Sequence, residues 1–523
     1  MTRFLYPFAL LLALVVSGCG GPVADPAPNP LPPGPSPAPA SAPEFASVYH
    51  AGAANAGPPV AACYLAGEWH VFQASTTDGG WAHLVSPDLV NWETLAEVPV
   101  RGTNGTVVID ARNTTGLGTP ARPALVALSR ADGERPQLTY STDNGRSWTA
   151  GARTEGLNDP RLRDPQVFWD VATDRWTMVA AADDHVAFFA SPDLIRWTYL
   201  SEWGRAAHRG HGRWTHPELL PLTVAETGER TFALLLGTTA GGPNGGGSGT
   251  LYHPGYWDGT EFRPRREATF NPADTVKWLD HGRDFYAATT FAGAPDGRAV
   301  VVGWLGNLAY AAAAPNAPGS LSVPRALTLH DEYGFGLRLR QEPVAELARL
   351  RGRRRDLGTD YVNDGILRLD LSDLPRAGSF EFTIDVDMFT SSRELYFTFS
   401  NAAGDRFYRF GTSRGGNPDH LYFADRRAAG RTDFHPAFAP EGLTVGEQWS
   451  NDQVVTFRAF FDGTSAEVFV HGGNPVFTHR TYAAQPWTTL TIESSGGEQT
   501  LDASPGWSVE RAAVYSLAPP ARK

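Results

Sequence analysis

The sequence predicts an all-β protein, a five-bladed β-propeller followed by a β-sandwich. The 523 residues include 15 Trp and 55 Gly, and long stretches with the period of an amphipathic helix are lacking. Aromatic residues pack between sheets and glycines turn the chain, so this composition favours strands. A turn motif recurs through the first part of the chain, and apolar and polar residues alternate in the last third.

The recurring motif predicts the propeller. It joins a Ser, an Asp and a following Trp, and its copies are about fifty residues apart: SPDLVNW (86–92), STDNGRSW (141–148), SPDLIRW (191–197) and the more distant YWDGTEF (256–262). Each interval has room for several short apolar strands, and four strands per repeat is the pattern of a propeller blade. About five blades fit between residues 45 and 350.

Residues 351–523 show a different pattern. Segments such as 378–386, 394–399 and 456–461 alternate apolar and polar side chains. Such alternation is typical of half-buried antiparallel strands, and there are enough of them for two packed sheets. A short helix or connector, 343–350, separates the two predicted domains.

The N-terminus predicts secretion and lipid anchoring. Residues 1–18 combine Arg3 with an apolar run and a small-residue end, which is the pattern of a signal peptide. Val16-Ser17-Gly18-Cys19 resembles a bacterial lipobox, which implies lipid attachment at Cys19; a chance cysteine in a signal peptide is the alternative. Residues 19–44, rich in Pro and Ala, then form a tether. We therefore expect a protein of the bacterial cell envelope, lipid-anchored and either periplasmic or surface-exposed.

Charge and cysteine content exclude other classes. The net charge of −12 comes from dispersed acids, without clusters of Lys and Arg, so nucleic acid is not an expected partner. Apart from Cys19 the chain has only Cys63, which lies in an apolar run and is predicted to be a buried core residue.

A set of motifs suggests a family. Arg163-Asp164-Pro165 comes directly before a buried-looking strand, and the proline fixes the backbone there. Together with its neighbours it resembles glycoside hydrolase family 32, the β-fructosidases that include levanases, invertases and inulinases. The other matching motifs, in chain order, are SPDLVNW (86–92), Trp214-x-x-Pro217-Glu218-Leu219, Trp278-Leu279-Asp280-x-Gly282-x-Asp284-Phe285-Tyr286, Gly303-Trp304-x-x-Asn307, Pro324-Arg325-Ala326-Leu327 and FDGTSAEVFV (461–470).

The resemblance implies chemistry that needs two carboxyl groups about 5–5.5 Å apart, a nucleophile and a general acid/base. A third carboxylate, in the Arg-Asp-Pro motif, stabilises the bound sugar, and Asp164 occupies that position. The nucleophile position is Pro58, and no Asp or Glu occurs between Phe45 and Gly67. The acid/base position is Thr215, whose hydroxyl has no pKa in the working range for proton transfer.

The resemblance also assigns further residues to the sugar site or to its support. His216 is a titratable neighbour of Thr215 and Glu218 follows in the same motif, while Asn104 lies where the family has a polar sugar-site motif. No cofactor and no metal are implied. The complete set of predicted substrate-binding residues is Arg163, Trp81, His83, Asn104, His216, Glu218, Asp280, Asp284, Tyr286 and Trp304.

Three functional hypotheses stay open. The first is a lipid-anchored protein that recognises a β-fructoside or a related carbohydrate with hydrolysis lost or strongly altered. The second is an active β-fructosidase that recruits Asp164, Glu218, Asp284 or His216, with water as the direct nucleophile and carboxyl groups about 6.5–9.5 Å apart as in inverting enzymes. The third is a surface interaction protein without a sugar site, because a fold does not imply a function.

Overall fold

The structure is a computed structural model. It describes residues 49–53, 56–75, 79–131, 134–205, 211–266, 276–315, 319–332, 334–358, 361–362, 365–374, 378–387, 394–414, 420–447, 454–495 and 507–517. The predicted signal peptide, Cys19 and the tether lie outside these residues. No helix in the described ranges has the length and hydropathy of a membrane span.

The first part of the described chain forms five antiparallel blades of a propeller, and the first and fifth blades are joined edge to edge into one eight-stranded sheet. The first blade contains β1 (Ala56–Leu65), β2 (Glu68–Ser75), β3 (Trp81–Ser86) and β4 (Glu93–Val98). The second contains β5 (Asn104–Asp110), β6 (Ala124–Arg130), β7 (Gln137–Ser141) and β8 (Thr149–Arg153). The third contains β9 (Arg163–Asp170), β10 (Arg175–Ala181), β11 (Val186–Ser191) and β12 (Thr198–Trp203).

The fourth blade contains β13 (Trp214–Thr223), β14 (Arg230–Thr238), β15 (Gly249–Trp257) and β16 (Phe262–Pro264), and the short β17 (Lys277–Trp278) also pairs with β15. The fifth contains β18 (Tyr286–Ala292), β19 (Ala299–Trp304), β20 (Arg325–Glu332) and β21 (Gly336–Pro343). Short 3₁₀ helices lie at Pro243–Gly245, Pro295–Gly297, Ala311–Ala313 and Ala345–Leu350.

The recurring sequence motif is a turn between the third and fourth strands of the first three blades. In each copy the Asp carboxylate accepts backbone N–H bonds from residues that follow it, as at Asp88, Asp143 and Asp193. The Trp indole N–H then donates to a carbonyl oxygen three residues earlier, at 2.9–3.1 Å. The motif therefore satisfies the polar groups of the turn while it buries part of an aromatic ring.

The first strand of each blade lies nearest the propeller axis. These inner strands are β1, β5, β9, β13 and β18, and each contacts the inner strands of the two adjacent blades. The ring closes where β1 pairs in parallel with β18 through Ala62 and Phe291. The axis is therefore surrounded by side chains from five inner strands.

The rest of the described chain forms two facing antiparallel sheets. One contains β22 (Arg351–Asp356), β23 (Tyr361–Val362), β25 (Ser379–Asp387), β30 (Val454–Asp462), β31 (Ser465–Val470), β32 (Val476–Arg480) and β34 (Trp507–Leu517). The other contains β24 (Gly365–Asp370), β26 (Glu394–Ser400), β27 (Phe407–Arg414), β28 (His420–Asp425), β29 (Thr444–Glu447) and β33 (Thr489–Ser495). Buried phenylalanines such as Phe382, Phe397 and Phe457 fill the space between them. The predicted fold class, a propeller followed by a β-sandwich, is confirmed.

A buried polar network joins the two domains. The Arg325 guanidinium, which is fully buried, donates to Asp280 of the propeller and to Glu467 of the sandwich. Residue 50, just before the first blade, adds to it: the His50 ring lies 2.8 Å from Asp462 and 2.9 Å from Glu467. The start of the propeller is thus tied directly to the sandwich.

Candidate functional site

The inner strands of three consecutive blades begin with the same irregularity. Asp164 in β9, His216 in β13 and Ala287 in β18 have φ values of 47°, 44° and 56°. Strand pairing shifts register at each of these points, as in a β-bulge. The first two precede Pro165 and Pro217, and a proline cannot donate a ladder hydrogen bond, so pairing is interrupted there. The bulges bring the side chains of Asp164 and His216 together near the propeller axis.

The Arg-Asp-Pro corner is held from the neighbouring blade. The Asn104 Oδ1 atom accepts a hydrogen bond from the Asp164 backbone N–H at 2.7 Å, and its Nδ2 donates to the Leu162 carbonyl at 3.3 Å. Arg163 forms an ion pair with Asp183 at 3.2 Å. Asn104 therefore acts on the site by fixing the backbone of the corner.

His216 is the nearest titratable partner of Asp164 in the described part of the site. Its Nδ1 atom lies 3.5 Å from the Asp164 Oδ2 atom, and it has no hydrogen-bond partner among the described residues. The ring packs edge to face against Tyr286, with centroids 5.4 Å apart. A carboxylate and an imidazole nitrogen thus face the same space at the start of the inner strands.

Thr215 and Tyr286 form a buried pair beside them. The two hydroxyl oxygens are 2.8 Å apart, and both residues are buried. Burial, with the nearby Asp164 carboxylate, raises the pKa of Tyr286, so its hydroxyl stays protonated. Across the strand pair, a Cβ on Gly237 would lie 2.6 Å from the Thr215 Oγ1 atom. The Thr215 side chain is enclosed and hydrogen-bonded.

The start of β1 contributes no acid to this region. Pro58 is half-buried in an irregular part of the strand, which shifts register on either side of Pro59. The Gln73 amide anchors the preceding backbone by donating to the Gly57 and Gly319 carbonyls, both at 2.9 Å. A proline side chain has neither a nucleophilic atom nor a transferable proton.

A second polar layer lies farther along the same strands. The Glu218 Oε2 atom accepts a hydrogen bond from the Gln166 amide at 2.7 Å and from the Thr290 hydroxyl at 2.6 Å. Burial raises the pKa of Glu218 to about 8, and these hydrogen bonds oppose the shift only in part. Glu218 is therefore a neutral carboxylic acid at pH 7.

No group of three His, Cys, Asp or Glu in the described ranges is arranged to hold a metal ion.

Comparison with known proteins matches both domains to one family. The profile described as glycosyl hydrolases family 32 N-terminal domain matches residues 58–343, and that described as glycosyl hydrolases family 32 C terminal matches residues 346–509. The chain belongs to glycoside hydrolase family 32.

Relatives of this family-32 protein include a levanase and an exo-inulinase. A levanase from Bacillus subtilis is 32% identical over 481 residues, which cover 87% of this chain and 67% of the levanase. An extracellular exo-inulinase from Aspergillus awamori is 27% identical, over 83% of this chain and 88% of the inulinase.

Solved structures show the same fold. The exo-inulinase from Aspergillus awamori has a TM-score of 0.77 at 23% identity, covering 91% of this chain and 98% of the inulinase. A fructofuranosidase from Schwanniomyces occidentalis complexed with fructosylnystose has a TM-score of 0.75 at 19% identity, covering 90% and 97%.

Within this family-32 fold, most of the predicted site residues gather at the bulged strand ends. Asp164, His216 and Tyr286 lie together there, with Thr215 and Asn104 in direct contact with one of them. Trp304 pairs with Tyr286 across β18 and β19 and packs behind it, with ring centroids 6.3 Å apart. Arg163 is adjacent and bound to Asp183, and Glu218 lies in the second polar layer.

Trp81 and His83 are buried between blades and have no surface for a sugar. Trp81 donates from its indole N–H to the Gly102 carbonyl at 3.0 Å, and its ring lies where a side chain at Gly105 would be. His83 stacks on Phe72 and bonds to His70 at 3.0 Å. Burial lowers the pKa of His83 to about 3, so it is uncharged. Both are scaffold residues in this structure.

Asp280 and Asp284 lie at the interface with the sandwich, which differs from their predicted place in the pocket wall. Asp280 accepts from Arg325 and from the Thr478 hydroxyl at 2.6 Å. Asp284 accepts from Arg426 and from the Tyr310 hydroxyl at 2.6 Å. Both carboxylates are ion-paired and hydrogen-bonded at the domain interface. Such partners offset the cost of burying a charge.

Sequence reasoning missed Gln166 and Thr290. The signal for the first was present, because Gln166 follows Asp164 by two residues just as Glu218 follows His216. The matching positions of these two residues after the bulges of neighbouring inner strands place them beside each other, and the Gln166 amide donates to Glu218. Thr290 carried no comparable signal, since it follows a bulge that changes the alternation.

Proposed function

We propose that this protein recognises a β-fructoside or a related carbohydrate at the bulged strand ends around Asp164, with the family's hydrolytic step lost or strongly altered. The observation that carries the proposal is the pairing of Thr215 with Tyr286. At the position where the family resemblance expects a general acid, a buried hydroxyl is bound to a second hydroxyl. Neither group releases a proton near neutral pH.

The nucleophile position supports the same conclusion. Pro58 occupies it, and the chain has no Asp or Glu from residue 46 to residue 66 that a shifted register would bring in. The two losses lie on separate inner strands, β1 and β13. Retaining glycosidases need both carboxyl groups, so the loss of either removes the covalent route.

The remaining groups suit sugar binding. The Asp164 carboxylate accepts hydrogen bonds from hydroxyl groups, and His216 has an Nδ1 atom without a hydrogen-bond partner in the described residues. Asn104 holds the backbone that carries Asp164, which keeps the carboxylate in place before a ligand arrives. The first ring of a fructoside would be oriented by these two side chains.

The lipid anchor at Cys19 and the location in the bacterial cell envelope belong to the same proposal. The Pro- and Ala-rich composition of residues 19–44 is typical of a tether. A tethered binding protein of this kind would retain fructans at the cell envelope.

A second candidate, an active β-fructosidase with non-standard residues, is favoured by one observation. Glu218 is a protonated carboxylic acid at neutral pH, as a general acid must be. Asp284 is removed from the candidates for this role because it is bound to Arg426 and Tyr310 at the domain interface. If the protein hydrolyses fructosides in this way, Glu218→Gln will abolish the release of fructose.

Calorimetric titration with inulin and levan oligosaccharides tests the binding proposal. We expect saturable binding to the wild-type protein, a loss of at least about tenfold in affinity for Asp164→Ala, and wild-type affinity for Asp183→Asn at the rim. In the Asp183→Asn control, the Arg163 Nε–H still donates to the Arg161 carbonyl oxygen at 3.2 Å. We therefore expect this control to leave the Arg-Asp-Pro corner in place.

The outcomes separate the three hypotheses. Binding that is insensitive to Asp164→Ala would move the sugar site elsewhere. No binding at millimolar ligand, with the protein folded, would favour the surface interaction protein without a sugar site. Release of fructose at ordinary enzyme rates would favour the active β-fructosidase.

A further inference from the structure

An axial cavity lies along the inner strands beyond the Gln166–Glu218–Thr290 layer. Its volume is about 540 Å³, within the range of about 300–1,000 Å³ that is usual for small-molecule sites. All five inner strands contribute to its wall, and its far end reaches the loop at 293–298. Asp164, His216 and Tyr286 do not line it, so the axial cavity is distinct from the candidate sugar site.

The wall of the axial cavity is mainly apolar. Val108, Phe168, Trp169, Leu220 and Phe291 are among the residues that line it. Burying the apolar body of a ligand against such a wall is favourable by about 25 cal/mol for each Å² removed from water. A molecule with hydroxyl groups on every face would leave several of them without partners.

Glu218 gives the axial cavity a polar end. Glu218 lines it, and because its Oε2 atom accepts from Gln166 and Thr290, the proton of the neutral acid belongs on Oε1. The groups that face Glu218 are uncharged: the Gln166 amide from β9, the hydroxyl and the backbone N–H of Thr290 from β18, and Leu235 beside it in β14. A neutral carboxylic acid in this position donates a hydrogen bond.

The remaining charge in the wall is already neutralised. Arg298, the other charged residue lining the cavity, forms an ion pair with Glu346 at 2.8 Å. A charged ligand would therefore enter an apolar space without a counter-ion, at a large desolvation cost.

We propose that the axial cavity is a second binding site, for an uncharged small molecule with an apolar body and a hydroxyl or carbonyl oxygen that accepts a hydrogen bond from Glu218. The apolar body lies toward Trp169 and Phe291, and the oxygen lies at the Glu218 end. The site is independent of the sugar site around Asp164, and it exists whether or not that site binds a fructoside.

Benzyl alcohol is the probe, titrated into the full-length protein by calorimetry, with toluene and benzoate as controls. We expect saturable binding of benzyl alcohol, binding of toluene that is about tenfold weaker, and no binding of benzoate. Glu218→Leu should weaken benzyl alcohol about tenfold, the usual effect of losing one hydrogen bond to a buried donor. Saturating inulin oligosaccharides should leave its affinity unchanged.

Two further measurements make the assignment specific. Acetophenone, whose carbonyl oxygen accepts a hydrogen bond and cannot donate one, tests the direction of the bond: raising the pH from 6 to 9 ionises Glu218 and should weaken its binding to the wild type, while Glu218→Gln, which keeps an N–H donor, should bind it equally at both pH values. Ala292→Trp places a large ring at an exposed position of the cavity wall and should block binding without unfolding the protein.

Either of two results overturns the proposal. One is no saturable heat with benzyl alcohol up to its solubility limit. The other is binding that survives Ala292→Trp and has the same pH dependence in the wild type and in Glu218→Gln. If Glu218→Leu does not fold, the Ala292→Trp and Glu218→Gln proteins decide the question.

Discussion

The hydroxyl groups of Thr215 and Tyr286 are 2.8 Å apart, in a buried contact between the fourth and fifth blades. The chain belongs to glycoside hydrolase family 32, and our proposal places Thr215 at the family's acid/base position. A hydrogen bond between two buried hydroxyl groups stabilises the contact between these blades.

Restoring both carboxyl groups should create hydrolysis. We expect the double variant Pro58→Asp with Thr215→Glu to release fructose from inulin at least about a hundredfold faster than the wild type, since general acid catalysis contributes about that much once a nucleophile is also present. Each single variant should stay at the wild-type level, because groups that act as a unit are not additive. Release of fructose is measured by a coupled reducing-sugar assay.

The control for this experiment is the same double variant with Asp164→Ala. It should return to the wild-type level, because the proposal assigns the stabilisation of the bound sugar to Asp164. A single variant as active as the double variant would contradict the assignment of the two positions.

His50 makes stability depend on pH. Burial opposes its charge, but the hydrogen bonds to Asp462 and Glu467 outweigh burial and raise the pKa of His50 to about 9. A pKa raised from 6.5 gives stability that is complete below pH 6.5 and is lost as the pH rises through about 9. His50→Gln should therefore lower the free energy of unfolding by about 3–5 kcal/mol at pH 6, and by much less at pH 10.

Urea unfolding at the two pH values measures this difference. The matched control is His330→Gln, because His330 has the same 2.8 Å distance to its partner Glu226 but lies at the surface. It should change the free energy of unfolding by less than about 1 kcal/mol at either pH. Equal effects of the two variants would show that the His50 contacts do not hold the N-terminal segment to the sandwich.

Arg325 should be among the costliest residues to replace. Arg325→Met leaves the Asp280 carboxylate buried without its cation and leaves Glu467 with His50 alone, and we expect a loss of about 3–5 kcal/mol in the free energy of unfolding. Arg263→Met, which removes an exposed pair with Asp258 at 3.2 Å, should cost at most about 1 kcal/mol. Thermal unfolding followed by calorimetry compares the two, and similar melting temperatures would contradict a structural role for the network.

The fold could be predicted because its signals are local. The turn around Asp88 repeats at Asp143 and Asp193, and each copy forms the same hydrogen bonds, so the repeat in the sequence became a repeat of blades. Apolar and polar residues alternate within β25 and β30, and they lie on opposite faces of the sheet that these strands form.

The site was less predictable because its contacts join distant residues. Nothing local distinguishes Asp280, which joins the domains through Arg325, from an acid that lines a pocket. The role of Asn104 depends on a backbone N–H 60 residues away, at Asp164. The positive φ values at Asp164 and His216 belong to bulges of the inner strands, which are defined by the pairing of β9 with β10 and of β13 with β14.

The central claim is that the propeller binds fructosides without the family's hydrolysis, and the most direct test is fructose release by the purified wild-type protein. Incubated with levan, inulin and sucrose at micromolar protein, it should release fructose no faster than its own Asp164→Ala variant. Turnover at about 1 s⁻¹ or faster, within the usual range of enzymes, and abolished by Asp164→Ala, would contradict the claim.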